Sequence, residues 1–351
     1  MTMKRRLQAF LLICLLLVFA LPAGAAQVAA SGNLSLSITE DQMAFGLDHW
    51  LGRGDFFGDL LRESTPNVRT KLESRALPAK AKRLEISADY CGVLVEPSST
   101  GKLELLLAGV KEADRDKFSV SLSTGADGVL RLTAKGDESL HFISMKEGGL
   151  VNTVVLQFPA ARLAELKLSA GYGMVRSFDL AEETTGKTGS GTLEIRDETV
   201  RGNCTMESES GDVKVSGSAA VSGKIRLTTE NGDAQVKGGA VGGPVELRSS
   251  NGDSLLFADS VGQAALSTAN GDALLETGAM QGDVTLTSGN GDVAVRFRKA
   301  PQNLGLTLKA GNGDRILPSG WKNGYSRGSG SPSLTLESGN GDILVRIGQG
   351  K

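Results

Sequence analysis

The tripeptide Asn-Gly-Asp occurs at Asn231, Asn251, Asn270, Asn290, Asn312 and Asn340, and Ser210-Gly211-Asp212 is a variant one step earlier. Its aspartates, Asp212, Asp233, Asp253, Asp272, Asp292, Asp314 and Asp342, are separated by 21, 20, 19, 20, 22 and 28 residues. So regular a period marks a solenoid, in which each repeat is one rung and only stacked neighbours bury a core.

The grammar within a rung says which solenoid. Alternating segments such as Ile225-Arg226-Leu227 and Val284-Thr285-Leu286 precede the tripeptide, and others such as Val213-Lys214-Val215 and Ile343-Leu344-Val345 follow it. Both read as short strands with one buried face. Two strands and two corners fill about twenty residues and leave no room for a helix. Asn-Gly between strands is also a hairpin signal, but a meander needs no fixed period or identical corners. The reading is therefore an all-β, parallel β-solenoid, or β-helix, with rungs about 4.8 Å apart.

The corner residues are then Asn231-Gly232, Asn251-Gly252, Asn270-Gly271, Asn290-Gly291, Asn312-Gly313 and Asn340-Gly341. Glycine is expected there for positive φ, with asparagine tolerating the same region. Stacked asparagines can also pass hydrogen bonds from amide to amide. Stacked carboxylates would repel unless each accepts an N–H within its own turn, points to water or shares a cation. Local capping is the reading adopted; the alternative is a Ca2+ ladder on Asp233, Asp253, Asp272 and Asp292.

With 46 glycines, 5% aromatic and 40% apolar residues, the composition suits thin, turn-rich rungs. Residues 1–6 are basic, 7–21 apolar and 22–26 small, the pattern of a signal peptide spanning 1–26. Cys14 lies inside the apolar run rather than after the small residues, so lipid attachment is not expected. The chain is read as exported, periplasmic or at the cell surface, with no transmembrane span once the signal is removed. The formal charge of −2 becomes −5 once Lys4, Arg5 and Arg6 leave, and no basic stripe invites nucleic acid. Cys91 and Cys204, 113 residues apart, are expected about five rungs from each other, too far to bridge, and so to be buried thiols.

Residues 27–82 read as an N-terminal cap and linker. Met43, Leu47, Trp50 and Leu51, then Phe56, Phe57, Leu60 and Leu61, have helical spacing. The polar stretch 65–82 reads as linker, and 83–351 as the solenoid, its early rungs irregular with loops at 111–117 and 135–149. In 83–347, the strand region 86–95, the run Gly128-Val129-Leu130-Arg131-Leu132, the run Val154-Val155-Leu156-Gln157-Phe158-Pro159 and the Asn-Gly-Asp rungs resemble the bacterial "putative adhesin" domains of unknown function. That resemblance implies an exported, envelope-associated, right-handed β-solenoid with no established catalysis.

Candidate chemistry is sparse. His49 and His141 are the two histidines, which leaves little material for a histidine-based metal site or triad. Gly324-Tyr325-Ser326-Arg327-Gly328 matches the hydrolase nucleophile elbow, but lies in a Gly/Ser-rich loop. No cofactor is expected. The 28-residue step carries its excess in 318–332, where Trp321 and Tyr325 lie beside Lys322 and Arg327. Insertions in solenoids become loops, often on the binding face, while the plain alternative is a flap over the last rung. The functional expectation is a non-enzymatic envelope scaffold or adhesin-like module that binds an envelope polysaccharide or another envelope protein. The alternatives are a glycan-active β-helix enzyme, which needs two carboxylates in unlike environments, and a Ca2+-dependent surface module.

Overall fold

In a computed structural model, residues 69–140, 143–146 and 149–348 are described; they belong to one compact unit, Thr65–Lys351. The signal peptide expected at 1–26, the helical pattern at 41–62, His49 and His141 lie outside the described residues.

Each repeat supplies one strand to each of two facing sheets. In rung 225–241, Ile225, Leu227 and Thr229 point inward from Ile225–Thr229, while Ala234, Val236 and Val241 point inward from Ala234–Val241. The intervening positions, among them Arg226 and Lys237, face outward. Parallel pairing keeps the register from rung to rung, so Leu227, Leu247, Leu266, Leu286, Leu336 and Leu308 form one apolar column. Four of these leucines are wholly buried, and full burial of such a side chain is worth about 1.5–3 kcal/mol. Both sheets have 13 strands, and every pairing between successive rungs is parallel, as expected for a β-solenoid.

Order along the stack departs from order along the chain at both ends. The last rung in sequence, made of Ser333–Ser338 and Ile343–Ile347, lies between rung 284–297 and rung 304–316. A physical reason is visible in the strands. Rung 304–316 has a full strand, Leu304–Ala310, in one sheet but only Arg315–Ile316, both exposed, in the other. An interior rung must pair on both edges of both sheets; a rung with a two-residue strand suits the end, where short edges also discourage further pairing.

At the other end, rung 83–97 pairs inward with rung 163–177 and outward with Val129–Lys135 and Thr153–Phe158. Antiparallel strands close that end: Ser119–Thr124 on one sheet, Leu103–Ala108 and then Arg69–Arg75 on the other. Part of the stretch expected to be linker is thus a sheet edge. Lys71 bonds Glu104 at 2.8 Å, and Arg69 pairs with Glu96, which fixes this strand through charges that composition alone does not reveal. The expected loop at 111–117 contains a 3-10 helix, Glu112–Lys117. That at 135–149 contains Ser144–Lys146, paired with Gly149–Val151.

Because residues 98–162 build this end, Cys91 and Cys204 are three rung steps apart rather than five. Both are free and buried, and burial pushes the Cys91 thiol up to about 11 and raises Cys204 as well.

Candidate functional site

The tripeptides form one edge of the stack, and three files of side chains run along it. In the outermost, Asn251 Nδ2 donates to Asn231 Oδ1 at 2.8 Å, Asn270 to Asn251 at 2.8 Å and Asn290 to Asn270 at 2.8 Å. Asn340 then donates to Asn290 at 2.6 Å, and Asn312 to Asn340 at 2.7 Å.

The second file is the aspartates. The Asp233 N–H donates to Asp212 Oδ1 at 3.0 Å, and the same link joins Asp253 to Asp233, Asp272 to Asp253, Asp292 to Asp272, Asp342 to Asp292 and Asp314 to Asp342. Every carboxylate of the file except that of the terminal Asp314 therefore caps the next rung rather than its own turn. Asp253 and Asp272 are half-buried, and desolvation, reinforced by neighbouring carboxylates, raises both above the usual range.

The third file lies inside the corner. Thr229 Oγ1 donates to the Gly211 carbonyl at 3.1 Å and accepts the Gly232 N–H at 3.0 Å. Ser249, Thr268 and Ser288 repeat both bonds one rung later each time, and Ser338 does so across to Gly291. All five hydroxyl residues are buried. The Ser or Thr two residues before five of the six asparagines, all but Asn312, was the available signal for this file.

Positive φ does not explain the corner glycines. None of Gly232, Gly252, Gly271, Gly291, Gly313 or Gly341 is in the left-handed region, nor is any corner asparagine. Glycine is required because the rungs touch: a Cβ on Gly271 would overlap the Gly252 carbonyl oxygen, and one on Gly291 would overlap that of Gly271.

The stretch 318–332 is the return path from the end rung to the interior one, crossing the outer edge of Leu304–Ala310. There the Leu306 N–H donates to the Tyr325 carbonyl at 2.8 Å, Gly324 N–H to Leu306 at 3.0 Å and Leu308 N–H to Asn323 Oδ1 at 2.8 Å. Trp321 and Tyr325 are half-buried and stacked on each other at 4.5 Å, with Trp321 6.4 Å from the buried Phe297. Lys322 and Arg327 are exposed. Ser326–Arg327 pairs antiparallel with Leu304 and Gly305, a setting unlike a strand-to-helix nucleophile elbow.

Among the described residues no group of three or more His, Cys, Asp or Glu is placed to hold a metal ion, and no helix is long and apolar enough to cross a membrane.

The chain is similar to the crystal structure of a putative adhesin from Bacteroides fragilis, at 12% identity and a TM-score of 0.34, covering 81% of this chain and 99% of that one. A putative adhesin from Parabacteroides merdae gives 11%, 0.30, 80% and 97%, and a putative cell adhesion protein from Clostridium sporogenes 10%, 0.22, 80% and 100%. No curated protein matches the chain. The sequence model of one family does match, over residues 81–348, which spans the described rungs from end to end; the chain belongs to the Toastrack DUF4097 family.

Proposed function

We propose that this protein is an exported, non-enzymatic module of the cell envelope, a scaffold or adhesin-like binder of an envelope polysaccharide or another envelope protein. The observation that carries the reading is how the repeated polar groups are used. The asparagine amides, aspartate carboxylates and buried hydroxyls of the corner bond mainly to one another and to the backbone of adjacent rungs. Residues so engaged build a surface; catalysis by a carboxylate pair needs two groups in distinct environments, which a repeating file does not supply. Export is supported by the basic, apolar and small-residue order of residues 1–26.

Fractionation of cells producing the tagged chain, followed by retention of the purified chain on isolated envelopes, tests the reading. The expected result is a shortened product outside the cytoplasm that is retained on envelopes and releases no reducing ends from their glycans. A cytoplasmic product, or glycan cleavage lost on substitution of a single carboxylate, would overturn it.

A further inference from the structure

The asparagine file does not run the full length of its edge. Register carries the Asn231 position back through Ser210 and Ser190 to Tyr172 and then Tyr90. The two tyrosine rings are stacked, with centroids 5.3 Å apart and planes within 17°. That separation is close to the rung spacing of about 4.8 Å, so the rings lie across the stack axis. One face of Tyr172 rests on Tyr90, and the register puts Ser190, with its short side chain, at the same position on the next rung.

Tyr172 is 59% exposed, unusual for so large a ring, and its backbone is fixed by an N–H bond to Asp89 Oδ1 at 3.2 Å. Tyr90 holds its ring from a left-handed backbone at φ 51°, a strained conformation for a bulky side chain and one that structures retain mainly at functional positions.

From Ser169 and Ala170, the latter two residues before Tyr172, a trough of about 450 Å³ runs across four rungs, through Lys187 and Gly189 to Glu207, Glu209 and Glu230. In the asparagine column Ser190 and Ser210 stand where tyrosine rings or bonded amides stand on other rungs, and Gly189 immediately precedes the first of them. At the far end of the trough Asn231 Nδ2 is turned to the Glu209 carbonyl at 3.1 Å. Its walls offer three carboxylates and one ammonium, with Lys187 paired to Glu207 at 3.1 Å. Carboxylates accept hydrogen bonds from hydroxyls, and an exposed ring accepts the apolar face of a sugar. The negative excess disfavours acidic polymers and nucleic acid.

We propose that Tyr172 and the trough from Gly189 to Glu230 form a subsite for a neutral polysaccharide chain, one sugar ring continuing the tyrosine stack over Ser190 and the next hydrogen-bonding Glu209 and Glu230. This deepens, and rests on, the binding-module reading above.

The test uses the full chain, with hexamers of β-1,4-linked glucose and of β-1,4-linked N-acetylglucosamine as neutral probes, polygalacturonate as the acidic one, and isolated envelopes in a parallel arm. Binding of a neutral hexamer is expected, retained in Tyr172→Phe and weakened at least about tenfold in Tyr172→Ala, whose melting temperature should match the parent because the ring is exposed. Saturation transfer from tyrosine ring protons to the sugar should vanish in Tyr172→Ala. Binding of neither hexamer, preference for polygalacturonate, or unchanged affinity in Tyr172→Ala would overturn the subsite. Envelope retention without hexamer binding sinks the subsite alone; retention on neither sinks the binding-module reading as well.

Discussion

Asn340 donates its side-chain amide to Asn290 at 2.6 Å across 50 residues of sequence, while Asn312, much nearer to Asn290 in the chain, lies one rung beyond Asn340 and two beyond Asn290. The file of amides thus records the true order of the rungs. The same inversion appears in the aspartates, where Asp342 bonds Asp292 and Asp314 bonds Asp342.

The inner hydroxyl file should matter more than the outer amide file. Ser288→Ala leaves the part-buried Gly291 N–H and Gly271 carbonyl without this partner and should cost about 1–3 kcal/mol, whereas Asn270→Ala, at an exposed corner, should cost about 0.5–1.5 kcal/mol. Urea unfolding of the two variants gives the order; a greater loss for Asn270→Ala would reverse the ranking.

Gly271→Ala should destabilise by about 1–3 kcal/mol because its Cβ meets the Gly252 backbone, which cannot move without shifting the rung below. Gly242→Ala, whose Cβ would meet nothing, should stay within about 0.5 kcal/mol of the parent. Equal effects at the two sites would remove close approach as the reason for the corner glycines.

Burial raises Asp272 in the folded state, with Asp292 adding repulsion. Folding then favours the protonated form, so this contribution is fully present below the unfolded value, about pH 4, and is lost as pH rises through the folded one. Asp272→Asn keeps an acceptor for the Asp292 N–H without the charge. Its melting temperature should equal or exceed the parent's at pH 7, and the difference should shrink toward pH 4. A clear loss at pH 7 would show that the charge itself stabilises the corner.

Calcium should not substitute for these hydrogen bonds. A ligand binding only the folded state at a hundred times its dissociation constant adds about 2.7 kcal/mol, readily seen in a melt. Millimolar Ca2+ is expected to leave the transition in place; an upward shift reversed by chelator would instead make Asp233, Asp253, Asp272 and Asp292 a metal ladder.

The half-buried Trp321 closes the end of the core beside Phe297. Trp321→Ala should lower stability by about 1–3 kcal/mol and expose amides of 304–310 to hydrogen exchange, with those of 225–241 unaffected. Unaltered exchange at 304–310 would show that the loop covers nothing.

Architecture was legible because a 20-residue period and alternating strands leave few alternatives, and the asparagine file followed from the stacking. Rung order was not legible. Leu304-x-Leu306 and Leu334-x-Leu336 carry the same pattern, and only the short partner strand at Arg315–Ile316 marks the former as an end. The corner chemistry was half legible. The motif showed where glycine is needed, but close approach between distant residues, unlike φ preference, is invisible in a local window. Tyr90 and Tyr172 were missed because they occupy the asparagine position in rungs that lack the motif, and Arg69–Arg75 because its pairing rests on charges met only across the fold.

Rung order is tested most directly by cysteine pairs at the corner. Adjacent corners lie about 4.8 Å apart, within disulfide reach, and alternate corners about twice that, beyond it. Asn290→Cys with Asn340→Cys should oxidise to an intrachain bridge, while Asn290→Cys with Asn312→Cys should remain reduced. A bridge in the second pair and none in the first would mean that the rungs stack in sequence order, contradicting the inserted last rung.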